Sequence, residues 1–323
     1  MNENQRPQLP DAIARLLTRR PLILGTRQSP LAMAQARETA QRLRDAYHLP
    51  DDAITLLPVV ASGDKVQDRA LRDLGGKALW TRELDRALVD GEIDFAVHSM
   101  KDVETVRADT FHVAAMLPRA DVRDVLLGAD SIGAIPQGGV FGTSSPRRAA
   151  QMQSFRPDVK ITLFRGNVAT RMAKLAQGEA DATLLAAAGL ARLDMHGVGT
   201  PLEVDTWLPA ASQGAIGLEA LRANTDICRV LAGVACRETM QCVAAERAFL
   251  AALQGGCHSP VSALATHENG TITLRGELYS EDGSEKVAGS AEFATEDTES
   301  PAMLAAELLE RAGPAITQFF GGA

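Results

Sequence analysis

No stretch of this 323-residue sequence is apolar for long enough to cross a bilayer. Residues 1–20 hold Arg6, Arg15, Arg19 and Arg20 but lack the apolar centre of a secretory signal. They read as a polar N-terminal extension with a single helical turn. Cysteine is scarce: Cys228, Cys236, Cys242 and Cys257, with no CxxC pair. That argues against a zinc or disulfide framework and suits reduced thiols in the cytoplasm. No metal-ligand spacing is present. Neither GxxxxGK(S/T) nor a GxGxxG opening a helix occurs, so a P-loop and a Rossmann dinucleotide site are not indicated. An excess of basic charge is missing too. The formal net charge is −8, which argues against general affinity for nucleic acid or acidic membranes. What remains is an ordinary globular composition, 46% hydrophobic and 23% charged, in a chain long enough for two or three domains.

The residues that are present repeat one arrangement. Leu22-Ile23-Leu24 reads as a strand, and the apolar residues from Leu31 to Leu43 recur at helical spacing. Between them, Ser29 is a good N-cap and Pro30 a good first helical residue. The helix N-terminus then points back at the strand end, with Arg27 beside it, which suits an anion. Ile93 to Val97 is a strand running into His98-Ser99-Met100-Lys101-Asp102. Polar groups there lie at the carboxyl end of a strand, where α/β sheets bind ligands. Gly142-Thr143-Ser144-Ser145-Pro146-Arg147-Arg148 repeats the strand, cap and helix. Two arginines in a first helical turn oppose the helix dipole unless an anion is bound. Arg165, Arg171 and Arg192 follow further strand ends. Two such α/β units should face each other across a cleft suited to several carboxylates or phosphates. Asp102, in this basic setting, has three readings: a stabiliser of a developing cation, a proton carrier, or a salt-bridge partner.

The polar segment Ala61–Thr81 carries Lys65, Arg69, Arg72 and Lys77, and composition alone makes it a solvated loop. Leu208 to Leu218 reads as a linker entering a strand that returns the chain to the first unit. After Ala235 a long helix leads to Gly255-Gly256-Cys257-His258-Ser259-Pro260. Strands over 261–266, 271–279 and 286–293 and a helix from Ser300 make a small α+β part. Two glycines place Cys257 on an accessible turn. His258 is adjacent and tends to point away, so these neighbours do not make a Cys–His catalytic pair.

Several of these motifs, in this order, resemble the hydroxymethylbilane synthase family, also called porphobilinogen deaminase. They are Thr26-Arg27-Gln28-Ser29-Pro30-Leu31-Ala32, Val97 to Asp102, Gly142 to Ser145, Arg147-Arg148, Arg165-Gly166-Asn167-Val168, Gln213-Gly214-Ala215, and Glu246-Arg247 with Gly255-Gly256-Cys257. The resemblance implies two α/β domains like the halves of type-2 periplasmic binding proteins, over 21–118 with 213–234 and over 119–212. It implies a small α+β domain over 235–323. Cys257 would hold a dipyrromethane cofactor through a thioether, and no metal is implied. The reaction would join four porphobilinogen molecules head to tail with loss of ammonia, and hydrolysis would release hydroxymethylbilane.

By the same resemblance, Asp102 is the catalytic aspartate, bonded to pyrrole nitrogens and stabilising the cation left when ammonia departs. Ser99, Lys101, Thr143, Ser145, Arg147 and Arg148 hold the cofactor's carboxylates. Arg27, Ser29, Arg165, Arg171 and Arg192 serve the substrate or growing chain, with Gln35 and Gln213 as weaker matches. Segment 61–81 becomes a mobile active-site loop. A cytoplasmic monomer passing its product to uroporphyrinogen III synthase, within haem and porphyrin synthesis, is also implied. Departures from the family pattern stand at Ser62, Asp73, Trp80, Glu104, His258 and Ser259. The rival readings are a non-enzymatic two-lobed anion-binding protein and a cysteine-dependent acyltransferase or hydrolase.

Overall fold

The computed structural model describes residues 7–60, 81–256 and 258–321. Cys257, Ser62, Asp73, Trp80 and the basic residues of segment 61–80 lie outside the described residues. In chain order the elements begin with α1 (Asp11–Leu17), β1 (Leu22–Arg27), α2 (Pro30–Tyr47), β2 (Ile54–Val59), α3 (Arg82–Val89), β3 (Phe95–Ser99) and β4 (Phe111–Met116). Then come β5 (Asp124–Leu127), β6 (Val140–Gly142), α4 (Pro146–Phe155), β7 (Lys160–Thr162), α5 (Val168–Ala176), β8 (Ala182–Ala186), α6 (Ala187–Arg192) and β9 (Thr200–Pro201). The chain continues through β10 (Ile216–Leu221), α7 (Thr225–Ala232), α8 (Arg237–Ala252), β11 (Val261–Glu268), β12 (Thr271–Tyr279), β13 (Lys286–Ala294), α9 (Ser300–Arg311) and α10 (Pro314–Thr317).

The described residues fall into two compact units, one of 7–60, 81–119 and 215–240, the other of the remainder. The first unit is built on a five-stranded sheet ordered β2-β1-β3-β10-β4. β1 runs parallel to β2 and β3, and β10 is antiparallel to β3 and β4. So the strand expected to return the chain after residue 213 does so. Leu24, Leu43, Phe95, Val97, Leu218 and Ile227 form the buried core. Residues 1–20 were expected to be a polar extension with a single helical turn, and within them residues 11–17 carry more structure than that. They form instead the amphipathic helix α1, with Ile13 buried in this core and Leu9, Leu16 and Leu17 packed against it. Three apolar residues spaced by three and one put one face of that helix inside.

The second unit holds two sheets. One is ordered β7-β6-β8-β5-β9, again three parallel strands followed by an antiparallel one. Its core includes Leu126, Phe141, Met152, Leu184 and Trp207. The other is the antiparallel meander β11-β12-β13, covered by α8 and α9 around Phe249, Leu274, Leu278 and Leu308. Glu246 on α8 is fully buried here; its carboxylate accepts from Ser212 N at 2.6 Å and from Ala265 N at 2.8 Å. That carboxylate fastens the segment after β9 to the meander. The α/β class with a small α+β part is what the sequence leads one to expect.

A buried ionic cluster stiffens the first unit. Glu219 on β10 accepts from Arg107 Nε and Nη2, both at 2.8 Å. Arg107 also donates to Asp85 Oδ1 at 2.6 Å and Glu104 Oε2 at 2.8 Å. His98 Nε2 lies 3.0 Å from Glu219 Oε2, close enough for attraction though poorly aligned for a hydrogen bond. Burial pushes the Glu219 carboxyl up, but His98 and Arg107 outweigh it and hold it down at about 2. A carboxyl lowered in this way from 4.5 stabilises the fold above pH 4.5, and that stability is lost as pH falls towards 2. The linkage is worth on the order of 3 kcal/mol. Urea unfolding at pH 5 and at pH 3 should therefore differ in the wild type and differ less in Glu219→Gln. An equal loss in both proteins would remove Glu219 from this role.

Candidate active site

β1 and β3 are adjacent and parallel, so their carboxyl ends lie side by side. That places Arg27 and Ser29, at the end of β1, beside Ser99, Lys101 and Asp102, at the end of β3. Ser29 caps α2 as expected: its side chain accepts from Ala32 N, and Pro30 opens the helix. A short helical turn, Met100–Asp102, follows β3 and carries Lys101 and Asp102. Arg27 Nη1 is 3.7 Å from Asp102 Oδ2, and the aspartate side chain is 36% exposed. This spacing is an ion pair without a direct hydrogen bond, so the carboxylate keeps lone pairs for other N–H donors. Gln35 reaches up from α2 and closes a reciprocal pair with Ser99. Gln35 Nε2 donates to Ser99 Oγ at 2.8 Å, and Ser99 Oγ donates to Gln35 Oε1 at 3.1 Å.

In the second unit Ser145 caps α4, its side chain accepting from Arg148 N, and Pro146 starts the helix. Thr143 Oγ1 accepts from Ser145 N at 3.1 Å, which fixes the turn between β6 and α4. Gly142 is required just before it, because a Cβ there would lie 2.5 Å from the Phe164 ring. The misplaced arginines find their anion inside the protein. Asp124, the first residue of β5, is buried and accepts from Arg147 Nη2 at 2.8 Å and Arg148 Nη2 at 2.6 Å. Trp207 Nε1 at 3.0 Å and Gln213 Nε2 at 2.9 Å complete the shell. Burial alone would raise the Asp124 carboxyl, but the charges of Arg147 and Arg148 hold it far below the usual carboxylate range.

Arg147 also donates to Gln151 Oε1 at 2.7 Å and Leu208 O at 3.1 Å, and Arg148 to Leu184 O at 2.8 Å. The arginines are thus more committed to the scaffold than the sequence suggested. Gln213, offered as a substrate contact, is buried with its amide nitrogen on Asp124 and Val122 O. Asp124, Gln151 and Trp207 were missed by sequence reasoning. The one available signal was an aspartate opening the short apolar run Val125-Leu126-Leu127 before Gly128.

Of the other expected residues in this unit, one follows a strand, one lies within α5 and one ends α6. Arg165 is buried just after β7. Arg171 Nε donates to Gly166 O at 3.0 Å, and Arg192 Nη2 to Gly214 O at 3.1 Å. Two departures from the family pattern acquire structural work. Glu104 accepts from Arg107 and from Thr81 Oγ1 at 2.9 Å, tying down the chain before α3. Ser259 Oγ accepts from Gly256 N at 3.3 Å, and Ser259 N donates to Gly256 O at 3.0 Å, which ties Ser259 to Gly256.

The family models and the sequence relatives carry the same name. A family model described as the porphobilinogen deaminase dipyromethane cofactor-binding domain matches residues 22–229, and one described as the porphobilinogen deaminase C-terminal domain matches 240–312. A porphobilinogen deaminase of Sphingopyxis alaskensis is 52% identical over 306 residues, 93% of this chain and 96% of the relative. One of Paracoccus denitrificans is 46% identical, covering 83% of this chain and 87% of the relative. A solved Bordetella pertussis BvgS periplasmic VFT2 domain is 14% identical, with TM-score 0.41, over 71% of this chain and 92% of that one.

The donor set fits an acidic bipyrrole. Arg147 Nε is buried with no partner among the described residues, so the clamp on Asp124 still leaves a guanidinium N–H for a further acceptor. Ser145 adds a hydroxyl at the same helix N-terminus. The first unit, taken by itself, offers in Asp102 a carboxylate acceptor suited to pyrrole N–H groups. Two family models that together span most of the sequence, and close relatives over nearly all of it, place this chain in the porphobilinogen deaminase family.

Proposed function

We propose that this chain joins four porphobilinogen molecules head to tail and releases the linear tetrapyrrole hydroxymethylbilane, as a transferase of its family does. The cofactor is dipyrromethane, which when bound supplies the pyrrole end onto which substrate is added. The observation that carries the reading is Asp102. It sits at a strand end beside Arg27, accessible and without a direct hydrogen bond from that arginine. A carboxylate so placed accepts N–H donors from pyrroles and stabilises the cation that substrate becomes when ammonia leaves.

In this reading Cys257 anchors the cofactor through a thioether. Ser99, Lys101, Thr143, Ser145, Arg147 and Arg148 bind its carboxylates. Arg27, Ser29, Arg165, Arg171 and Arg192 bind the acetate and propionate groups of substrate and growing chain. Gln35 acts by orienting Ser99, and Gln213 by completing the shell of Asp124. The reduced thiols of Cys228, Cys236 and Cys242 support a cytoplasmic protein. It acts as a monomer and hands its product to uroporphyrinogen III synthase. Its parts divide as 21–118 with 213–234, 119–212 and 235–323, with α1 packed into the core of the first.

Intact mass measurement tests the anchor. The purified protein should exceed its sequence mass by one dipyrromethane, and Cys257→Ala should weigh its sequence mass and lack activity. An active protein without added mass would overturn the reading.

A further inference from the structure

Gly217 is the second residue of β10, an inner strand of the first unit's sheet, and pairs with His98 on β3 and Met116 on β4. A glycine inside a strand weakens it and marks the close approach of another group to its backbone. The group that approaches is Met100, which opens the short turn carrying Lys101 and Asp102. A Cβ on Gly217 would collide with Met100 Sδ and lie 3.0 Å from Met100 Cγ, with Val113 Cγ1 of β4 at 3.4 Å. Met100 is 1% exposed, so its thioether rests on the bare backbone of β10 with no open space to swing into. Ile216 and Leu218, on either side of Gly217, belong to the core on the opposite face of the sheet.

The backbone of the turn is held at the same place. Met100 N donates to Ala215 O at 3.0 Å, which carries the β3–β10 pairing one step past Ser99 and Ile216. Val103 N donates to Met100 O at 3.2 Å and closes the turn. Asp102 therefore projects from a turn whose first residue is fixed twice, by its main chain to Ala215 and by its side chain on Gly217. Asp102 itself is partly exposed and 3.7 Å from Arg27. An ion pair of that length, without a direct hydrogen bond, tolerates small movements of the carboxylate.

We propose that Met100 and Gly217 are positioning residues for Asp102. The thioether seated on the glycine sets how far the turn stands from the sheet, and with it where the carboxylate meets the reacting pyrroles. The role rests on the proposed function, in which Asp102 stabilises the cation left when ammonia departs. Met100 and Gly217 act only through the turn. A displacement of about 1 Å in a reacting group can cost on the order of 100-fold in rate, so a methyl group added inside the sheet is felt at the carboxylate.

Gly217→Ala tests this in the full, cofactor-loaded chain. Gly217 is not among the residues of positive φ, so alanine adds a methyl without backbone strain. Single-turnover consumption of porphobilinogen should slow about tenfold or more, with KM within about threefold of wild type. Met100→Ala removes both colliding atoms and frees the turn, and should slow the same step to a similar degree. The two losses should not multiply: with Met100 cut back, the added methyl meets neither Cγ nor Sδ, and the double variant should be no slower than Met100→Ala. In an Asp102→Asn background, Gly217→Ala should slow the reaction by less than about twofold, because the group it displaces is already disabled. Should Gly217→Ala fail to fold, Met100→Ala in the wild-type and Asp102→Asn backgrounds carries the same comparison.

A loaded Gly217→Ala protein that reacts at the wild-type rate, even with a lower urea midpoint, overturns the proposal, since packing alone then accounts for the fit. So does a full tenfold loss in the Asp102→Asn background, or losses that multiply in the double variant. If Asp102→Asn alone reacts near the wild-type rate, the role of Asp102 falls and this one with it. That measurement leaves residues 100 and 217 untouched, which keeps the two failures apart.

Discussion

Replacing Asp124 with alanine is expected to destabilise the second unit by about 3–5 kcal/mol, the usual cost of stripping one partner from a buried ion pair. The carboxylate is the sole acceptor shared by Arg147, Arg148, Trp207 and Gln213 among the described contacts. Without it two buried guanidinium charges face each other uncompensated. Asp124→Asn keeps the shape and some acceptor capacity but not the charge, so it should recover only part of the loss. Urea midpoints at neutral pH measure both variants, with an unchanged m-value marking a change in stability rather than in compactness. A loss below about 1 kcal/mol in Asp124→Ala, the size of an ordinary substitution, would mean the arginines are held by their carbonyl contacts instead. The substitution should also lower cofactor loading, because the first turn of α4 carries both the clamp and the residues proposed to bind the cofactor.

The largest catalytic effect is expected at Asp102. A carboxylate about 4 Å from a developing positive charge contributes about 4 kcal/mol at an effective dielectric near 20. Removing that charge alone, in Asp102→Asn, should lower kcat by about 10³-fold. The side chain is partly exposed and 3.7 Å from Arg27, so the fold has little to lose. The urea midpoint should stay within about 0.5 kcal/mol of wild type. Single-turnover consumption of porphobilinogen by loaded protein separates the chemical step from loading. A rate within tenfold of wild type would remove the electrostatic role from Asp102.

The parts of the site visible in the sequence are those built by near neighbours. Ser29 with Pro30, Ser145 with Pro146, and Asn167 cap their helices through residues three positions on, and each does so in the structure. Strand ends carrying Asp102 or Arg165 were likewise legible, because a strand followed by polar residues is a local pattern. What the sequence hid is long-range. Asp124 collects donors from 23 to 89 residues away. β5 opens on that charge, which masks a strand of only four residues. Glu246 shows the same limit: the sequence places it on a helix but not its partners, and both its oxygens accept backbone N–H groups from segments on either side in sequence. α1 was misjudged for a different reason. Four arginines dominate the composition of residues 1–20, whereas the burial of α1 depends on Ile13 and three neighbouring leucines.

The Gln35–Ser99 pair sets the thermodynamics of binding at its end of the site. Each side chain is donor and acceptor to the other, so Ser99 is already confined to one rotamer before any ligand arrives. Ordering a mobile side chain on binding costs about 0.5–1.5 kcal/mol. Here that rotamer entropy is surrendered during folding, and a carboxylate reaching Ser99 has only to take the hydroxyl proton from Gln35 Oε1 while Gln35 Nε2 keeps the oxygen in place.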